Sequence, residues 1–185
     1  MTERVVISWI TAVVLGVAGL SPRASAQIYL TRDEALRQYF PPPIEVERKN
    51  LFLTDHQVDA VQTKSRSKIP SKIITYYVGH RSGTVTGYAF FETQTVRTMP
   101  AVFILVIDPD SSIRALEILA FYEPEDYLPP KRWLDLFHRK QPSSDLWLKR
   151  GIQNIVGATL SAQALTDAVR RYLALFEIAI PKEAQ

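Results

Sequence analysis

The chain of 185 residues contains no cysteine. That excludes disulfide staples, thiolate metal sites and a cysteine nucleophile. Histidine is nearly as scarce. The three present, His56, His80 and His138, lie far apart and share no metal-ligand spacing. His56 reads as a first-turn helix residue and His138 as a cation at a helix C-terminus, where the dipole favours it. No Gly-x-Ser-x-Gly elbow marks a serine nucleophile, and no Gly-x-Gly-x-x-Gly or Walker pattern marks a nucleotide loop. Asp108 and Asp110 flank Pro109 without the spacing of a calcium loop. There is no internal repeat and no low-complexity tract. A basic stripe with interleaved aromatics, the footprint of a nucleic-acid binder, is also missing, so no nucleic-acid partner is expected.

What is present suits one globular domain. The length is ordinary for a single domain, and 46% apolar residues allow a real core. The first 26 residues read as a cleavable secretory signal. A short polar start with Arg4 precedes the apolar run 5–20, Pro22 breaks it, and Ala24-Ser25-Ala26 is a small-x-small cleavage site before Gln27. The run is shorter than the roughly 20 residues that span a bilayer, so a membrane anchor is the lesser expectation and periplasmic export the main one. Without residues 1–26 the chain keeps 20 basic and 18 acidic residues, close to neutral.

Residues 27–70 read as an N-terminal helical segment. Thr31-Arg32-Asp33-Glu34 is a capping box, and Pro41-Pro42-Pro43 ends the helix it starts. Thr54-Asp55-His56-Gln57 is a second box, with Leu53 and Val58 as its staple, opening a helix to about Thr63. Residues 71–180 then read as an α+β domain: an antiparallel sheet of about four strands packed by helices. The strands are residues 72–79, 84–92, 101–107 and 113–121. The third is apolar throughout, as for a strand covered on both faces. Gly87 marks a bulge. Short connections favour antiparallel neighbours. Pro129-Pro130 sets up a helix with Trp133, Leu134 and Phe137 as its buried stripe. The last helix begins near Ser161, buries Leu165, Val169, Tyr172, Leu173 and Phe176, and carries Asp167 and Arg171 as an outward i,i+4 pair.

The stretch with the most chemistry is Asn154-Ile155-Val156-Gly157-Ala158-Thr159-Leu160-Ser161. Gly157 and Ala158 lack bulk, so a ligand can approach the backbone. The helix behind them offers unpaired N–H groups and the positive end of its dipole, a good phosphate site. Thr159 and Ser161 add hydroxyls. The plainer reading is that one hydroxyl caps the helix. Elsewhere, Arg97 sits in the turn Gln94-Thr95-Val96-Arg97-Thr98 and can pair with a phosphate; the plainer reading is a solvated arginine. Tyr127 and Trp133 either stack on a planar ligand or belong to the core.

Gly157-Ala158-Thr159-Leu160-Ser161 with its following helix resembles the FMN-binding domain family, which includes the C subunit of the sodium-translocating NADH:quinone reductase and the G subunit of the Rnf electron-transport complex. Phe121-Tyr122-Glu123-Pro124 after a strand extends the resemblance over roughly residues 72–176. The resemblance implies FMN at the turn, with Thr159 in the place of the threonine that carries the phosphoester in the family, where an exported flavin transferase installs it. Gly157, Ala158, Leu160 and Ser161 would surround it. Val156 stands where the family has Ser or Thr, and Gln153 where the transferase motif prefers Asp. Glu123 is implied to lie beside the flavin as an acceptor; otherwise it is an exposed acid in a loop with Glu125 and Asp126. The expected activity is electron transfer with a membrane redox complex or cytochrome, and no stand-alone enzyme chemistry is expected. A flavin-free periplasmic binding or assembly module of the same fold is the alternative, and a small hydrolase the third.

Overall fold

A computed structural model describes residues 27–181; the expected secretory signal, residues 1–26, lies outside them. The element order is β1 (Gln27–Ile28), α1 (Arg32–Tyr39), β2 (Glu45–Phe52), α2 (Asp55–Ser65), β3 (Ile73–Arg81), β4 (Thr84–Thr95), β5 (Pro100–Ile107), β6 (Ile113–Phe121), α3 (Lys131–Leu134) and α4 (Thr159–Ala179). The class is α+β, in a single domain, as the sequence implies. The sheet has six strands in the order β1-β6-β5-β4-β3-β2, not about four, and every pair is antiparallel.

The two additional strands are the sheet's edges, and both come from before residue 71. β2 is Glu-Val-Glu-Arg-Lys-Asn-Leu-Phe, charged and largely exposed, with no apolar alternation to announce it. It is defined by an eight-residue register against β3, from Glu45 opposite His80 to Phe52 opposite Ile73. Charge on such an edge disfavours pairing with a second molecule. β1 has only two residues.

Both capping boxes form. Thr31 accepts from the Glu34 amide while Glu34 reaches back to the Thr31 amide, and Thr54 and Gln57 repeat the exchange. The β3–β4 hairpin turns on Ser82 and Gly83, both at positive φ (50° and 82°), the geometry that matches strand twist. The bulge falls opposite the step from Gly79 to His80, where Gly87 pairs Gly79 and Val85 pairs His80.

β5 runs through the centre. Phe103, Leu105 and Ile107 join the main core with α2, α3 and α4; Ile104 and Val106 join the smaller core under α1 with Ala35, Phe40 and Tyr77. α4 lies over the first face. Tyr88 meets Phe176 edge-on at 4.9 Å between ring centroids, and Phe90 meets Tyr172 at 5.1 Å. One expectation for α4 is overturned: Asp167 pairs with Arg170, three residues on, at 2.5 Å, while Arg171 turns inward to Glu92 of β4. A carboxylate on the sheet face outcompetes a solvated helix partner, because an exposed i,i+4 pair contributes only about 0.3–0.5 kcal/mol.

Candidate functional site

After β6 the chain is tied to the neighbouring strand β5 by the Tyr122 amide, which donates to the Pro100 carbonyl at 3.1 Å. A short turn over Glu125–Tyr127 then presents the Tyr127 ring. The returning segment is pinned by Trp133, whose Nε1 donates to the Gln153 carbonyl at 2.7 Å. Trp133 and Phe137 are buried and meet edge-on, so Trp133 belongs to the core. Beyond Gln153 the Ala158 amide closes a turn on the Ile155 carbonyl at 3.2 Å. Gly157 makes that turn at φ +85°, a left-handed conformation that costs other residues roughly 1–2 kcal/mol.

α4 starts at Thr159, two residues before the expected start, and its first position is preceded by Ala158, which has no side chain to cap it. Neither hydroxyl serves as a cap. Thr159 Oγ1 accepts from Asn154 Nδ2 at 3.0 Å and donates to the Ile155 carbonyl at 3.4 Å. Ser161 Oγ donates to the Tyr127 carbonyl at 2.5 Å, which ties α4 to the turn after β6. Among the described residues, no acceptor takes the amides of Thr159, Leu160 and Ser161. A 21-residue helix therefore opens on bare donors at the positive end of its dipole.

These groups face a cleft of about 330 Å³ lined by Arg97, Tyr127, Gly157, Ala158, Thr159, Leu160 and Ser161. Six of the seven residues singled out in the sequence thus meet in one place, with Tyr127 as a wall. Arg97 arrives from the β4–β5 turn, and its guanidinium stands 4.6 Å from the Tyr127 ring centroid. Among the described residues it has no acidic partner, so its charge is uncompensated. Val156 is 99% exposed and Leu160 54%, leaving apolar surface next to the bare helix end.

Glu123 is the exception. It does not line the cleft; its Oε1 accepts from the amides of Thr98 and Met99 at 2.6 and 2.8 Å. Burial alone would push this carboxyl up, but the amide donors outweigh it and hold it below the usual range. It is also not the exposed acid of the plainer reading, being 7% exposed. Asn154 was not legible as a site residue. Its amide holds the Thr159 hydroxyl, and its Oδ1 is buried with no partner, a contact that depends on the turn's conformation and carries no sequence signal.

A larger cavity, about 650 Å³, runs along β6 past Tyr39, Leu116, Glu117, Leu128, Leu134 and His138. Its ionisable groups are mutually satisfied: Tyr39 and Gln38 donate to Glu117, Lys131 pairs with Asp135, and His138 Nδ1 meets the Arg114 carbonyl. Its Glu117 carboxylate is taken up by two neutral donors, whereas the Arg97 guanidinium in the α4 cleft has no hydrogen-bond acceptor among the described residues. Among the described residues no group of three His, Asp or Glu side chains is placed to share a metal ion, and no helix is long and apolar enough to cross a membrane.

No protein-family model matches the sequence, and no curated protein matches it. Among solved structures the chain is similar to the crystal structure of NqrC from Shewanella oneidensis, with a TM-score of 0.52 and 15% identity over 81% of this chain and 88% of that one. At that identity the likeness shows the fold: the chain resembles NqrC in architecture, and this agrees with the resemblance carried by the Gly157-Ala158-Thr159 turn.

Proposed function

We propose that the chain is an exported FMN-binding electron-transfer protein that holds the phosphate of FMN at the Gly157-Ala158-Thr159 turn. The observation that carries this is the pairing of an uncapped helix N-terminus with an uncompensated arginine across one cleft. The NqrC-like fold supports the same reading. The residues suit the group. The amides of Thr159, Leu160 and Ser161 donate to phosphate oxygens, and Arg97 supplies the balancing charge. Val156 and Leu160 offer apolar surface for the rest of the ligand.

Bound FMN would supply the redox chemistry, taking up and releasing electrons; the chain holds and tunes it. Thr159 is exposed and lines the cleft, so an exported flavin transferase can reach it to form the phosphoester. The redox partner is a membrane complex or cytochrome, and residues 1–26 direct export.

Two measurements test the reading. Exported protein co-expressed with a flavin transferase is expected to give a fluorescent band on a denaturing gel, and Thr159→Ala to remove it. A dark wild-type band removes the covalent claim. FMN added to the purified protein is expected to bind, with Arg97→Ala weakening it about tenfold or more, the value of one charge-assisted hydrogen bond. A protein that stays colourless and takes up no FMN leaves the flavin-free module as the reading.

A further inference from the structure

Glu123 and Arg97 both serve the turn between β4 and β5, yet their side chains form no ion pair; the Arg97 backbone amide is among the donors that hold the Glu123 carboxyl down. The Glu123 carboxylate is spent on backbone: Oε1 takes the Thr98 amide, the Met99 amide and the Thr98 hydroxyl at 2.6, 2.8 and 3.2 Å. Val96, just before Arg97, is buried in the core, and its amide closes the turn on the Met99 carbonyl at 3.1 Å. The turn is thus fixed on both sides of Arg97. Arg97 itself stays exposed, stacked on Tyr127 at 4.6 Å and without an acid to neutralise it. A carboxylate paired with Arg97 would cancel the charge that an anion needs. One that binds the backbone amides leaves the guanidinium without a direct partner and removes the freedom of the turn that carries it.

We propose that Glu123 is a positioning residue: it clamps the turn 96–99 so that Arg97 faces the bare end of α4, and it does not touch the anion bound there. The ligand part of this rests on the phosphate reading of the cleft given above.

Three variants separate reach from charge. Glu123→Gln loses the charge but keeps an oxygen that accepts from both amides. Glu123→Asp keeps the charge but is one methylene too short to span them. Glu123→Ala loses both. Amide hydrogen exchange in ligand-free protein reads the clamp, and FMN titration by fluorescence quenching reads its consequence. Exchange at Thr98 and Met99 is expected to speed up in the Asp and Ala variants and to stay near wild type in Gln. FMN affinity is expected to fall about tenfold in Asp and Ala, matching Arg97→Ala, and to stay within about threefold in Gln. Glu123→Ala combined with Arg97→Ala should bind no more weakly than either alone. Unchanged exchange in both Asp and Ala overturns the clamp. A Gln variant that loses as much FMN affinity as Ala overturns positioning in favour of a charged contact. If the wild type binds no FMN, the flavin reading falls and the exchange comparison alone decides whether Glu123 fixes the turn.

Discussion

Arg171→Met is expected to cost about 3–5 kcal/mol of stability, the largest loss of any single change away from the cleft. Arg171 is 6% exposed and gives its guanidinium to Glu92 at 3.0 Å and Gln94 at 3.1 Å on β4 and to Ser67 at 2.8 Å in the loop after α2. The Glu92 side chain is only 10% exposed, and its second oxygen accepts from the Tyr172 hydroxyl. Burial and the Glu92 carboxylate push the Tyr172 phenol well up, so it remains a donor. Methionine fills much of the arginine's volume but strands the carboxylate with one neutral partner, and an uncompensated buried charge dominates the cost. The pair itself contributes less than its removal suggests, because both charges lose hydration on burial. Arg171→Met combined with Glu92→Leu should therefore recover most of the loss. Urea unfolding of the two variants checks this through their midpoints at similar m-values. A single variant within 1 kcal/mol of wild type would mean that the carboxylate finds water or a proton when the arginine is gone.

The same arginine shows where sequence reasoning reaches its limit. Asp167 four residues before Arg171 satisfies the helix pairing rule, and the rule is local. It cannot count Glu92, which arrives from 79 residues away. The elements that were legible are those whose signals are local too. Thr31 with Glu34 and Thr54 with Gln57 define helix starts within four residues. The apolar run of β5 announces a strand buried on both faces, and Ile104 and Val106 do pack opposite Phe103 and Leu105. β2 was not legible, because its charged residues are held by the register against β3 and not by a buried face of their own.

The cleft divides along the same line. Gly157, Ala158, Thr159, Leu160 and Ser161 are consecutive, so a turn entering a helix brings them together by itself. Arg97 joins them only because β4 and β6 end on the same side of the sheet, with Pro100 and Tyr122 bonded across it. Residue type identified it as an anion partner, and the fold supplied the distance. Glu123 was singled out by the family resemblance, but whether a carboxylate faces a ligand or a backbone amide is settled by which donors the neighbouring turn exposes. Here the donors of Thr98 and Met99 claim it.

The second large effect is expected at Gly151, which no motif marks. Its Cα approaches the backbone of Asp145 so closely that an added Cβ would sit 1.6 Å from the Asp145 carbonyl oxygen and 2.6 Å from its carbon. Those atoms are main chain and cannot rotate away, so Gly151→Ala forces the loop open. The loop is held by the Ile152 amide on the Trp147 carbonyl at 3.1 Å and the Lys149 amide on the Ile152 carbonyl at 2.8 Å. Ile152 and Leu146 are both buried on it, and Trp147 stacks on Arg170 at 3.6 Å. Displacing them should cost about 3 kcal/mol, the upper part of the range for overpacking. The effect should also travel forward along the chain, because Gln153, two residues on, is the anchor for Trp133 and the entry to the turn before α4. Gly83→Ala is the control. It too lacks a side chain, at φ +82°, but nothing lies within 4 Å of its Cβ position, so it should cost only about 1–2 kcal/mol of backbone strain. Thermal unfolding should rank Gly151→Ala well below Gly83→Ala, and a changed Trp133 environment should appear in the near-ultraviolet circular dichroism of the first variant alone. Equal midpoints would show that the Asp145 carbonyl gives way freely, and then this loop could not be what fixes the approach to Thr159.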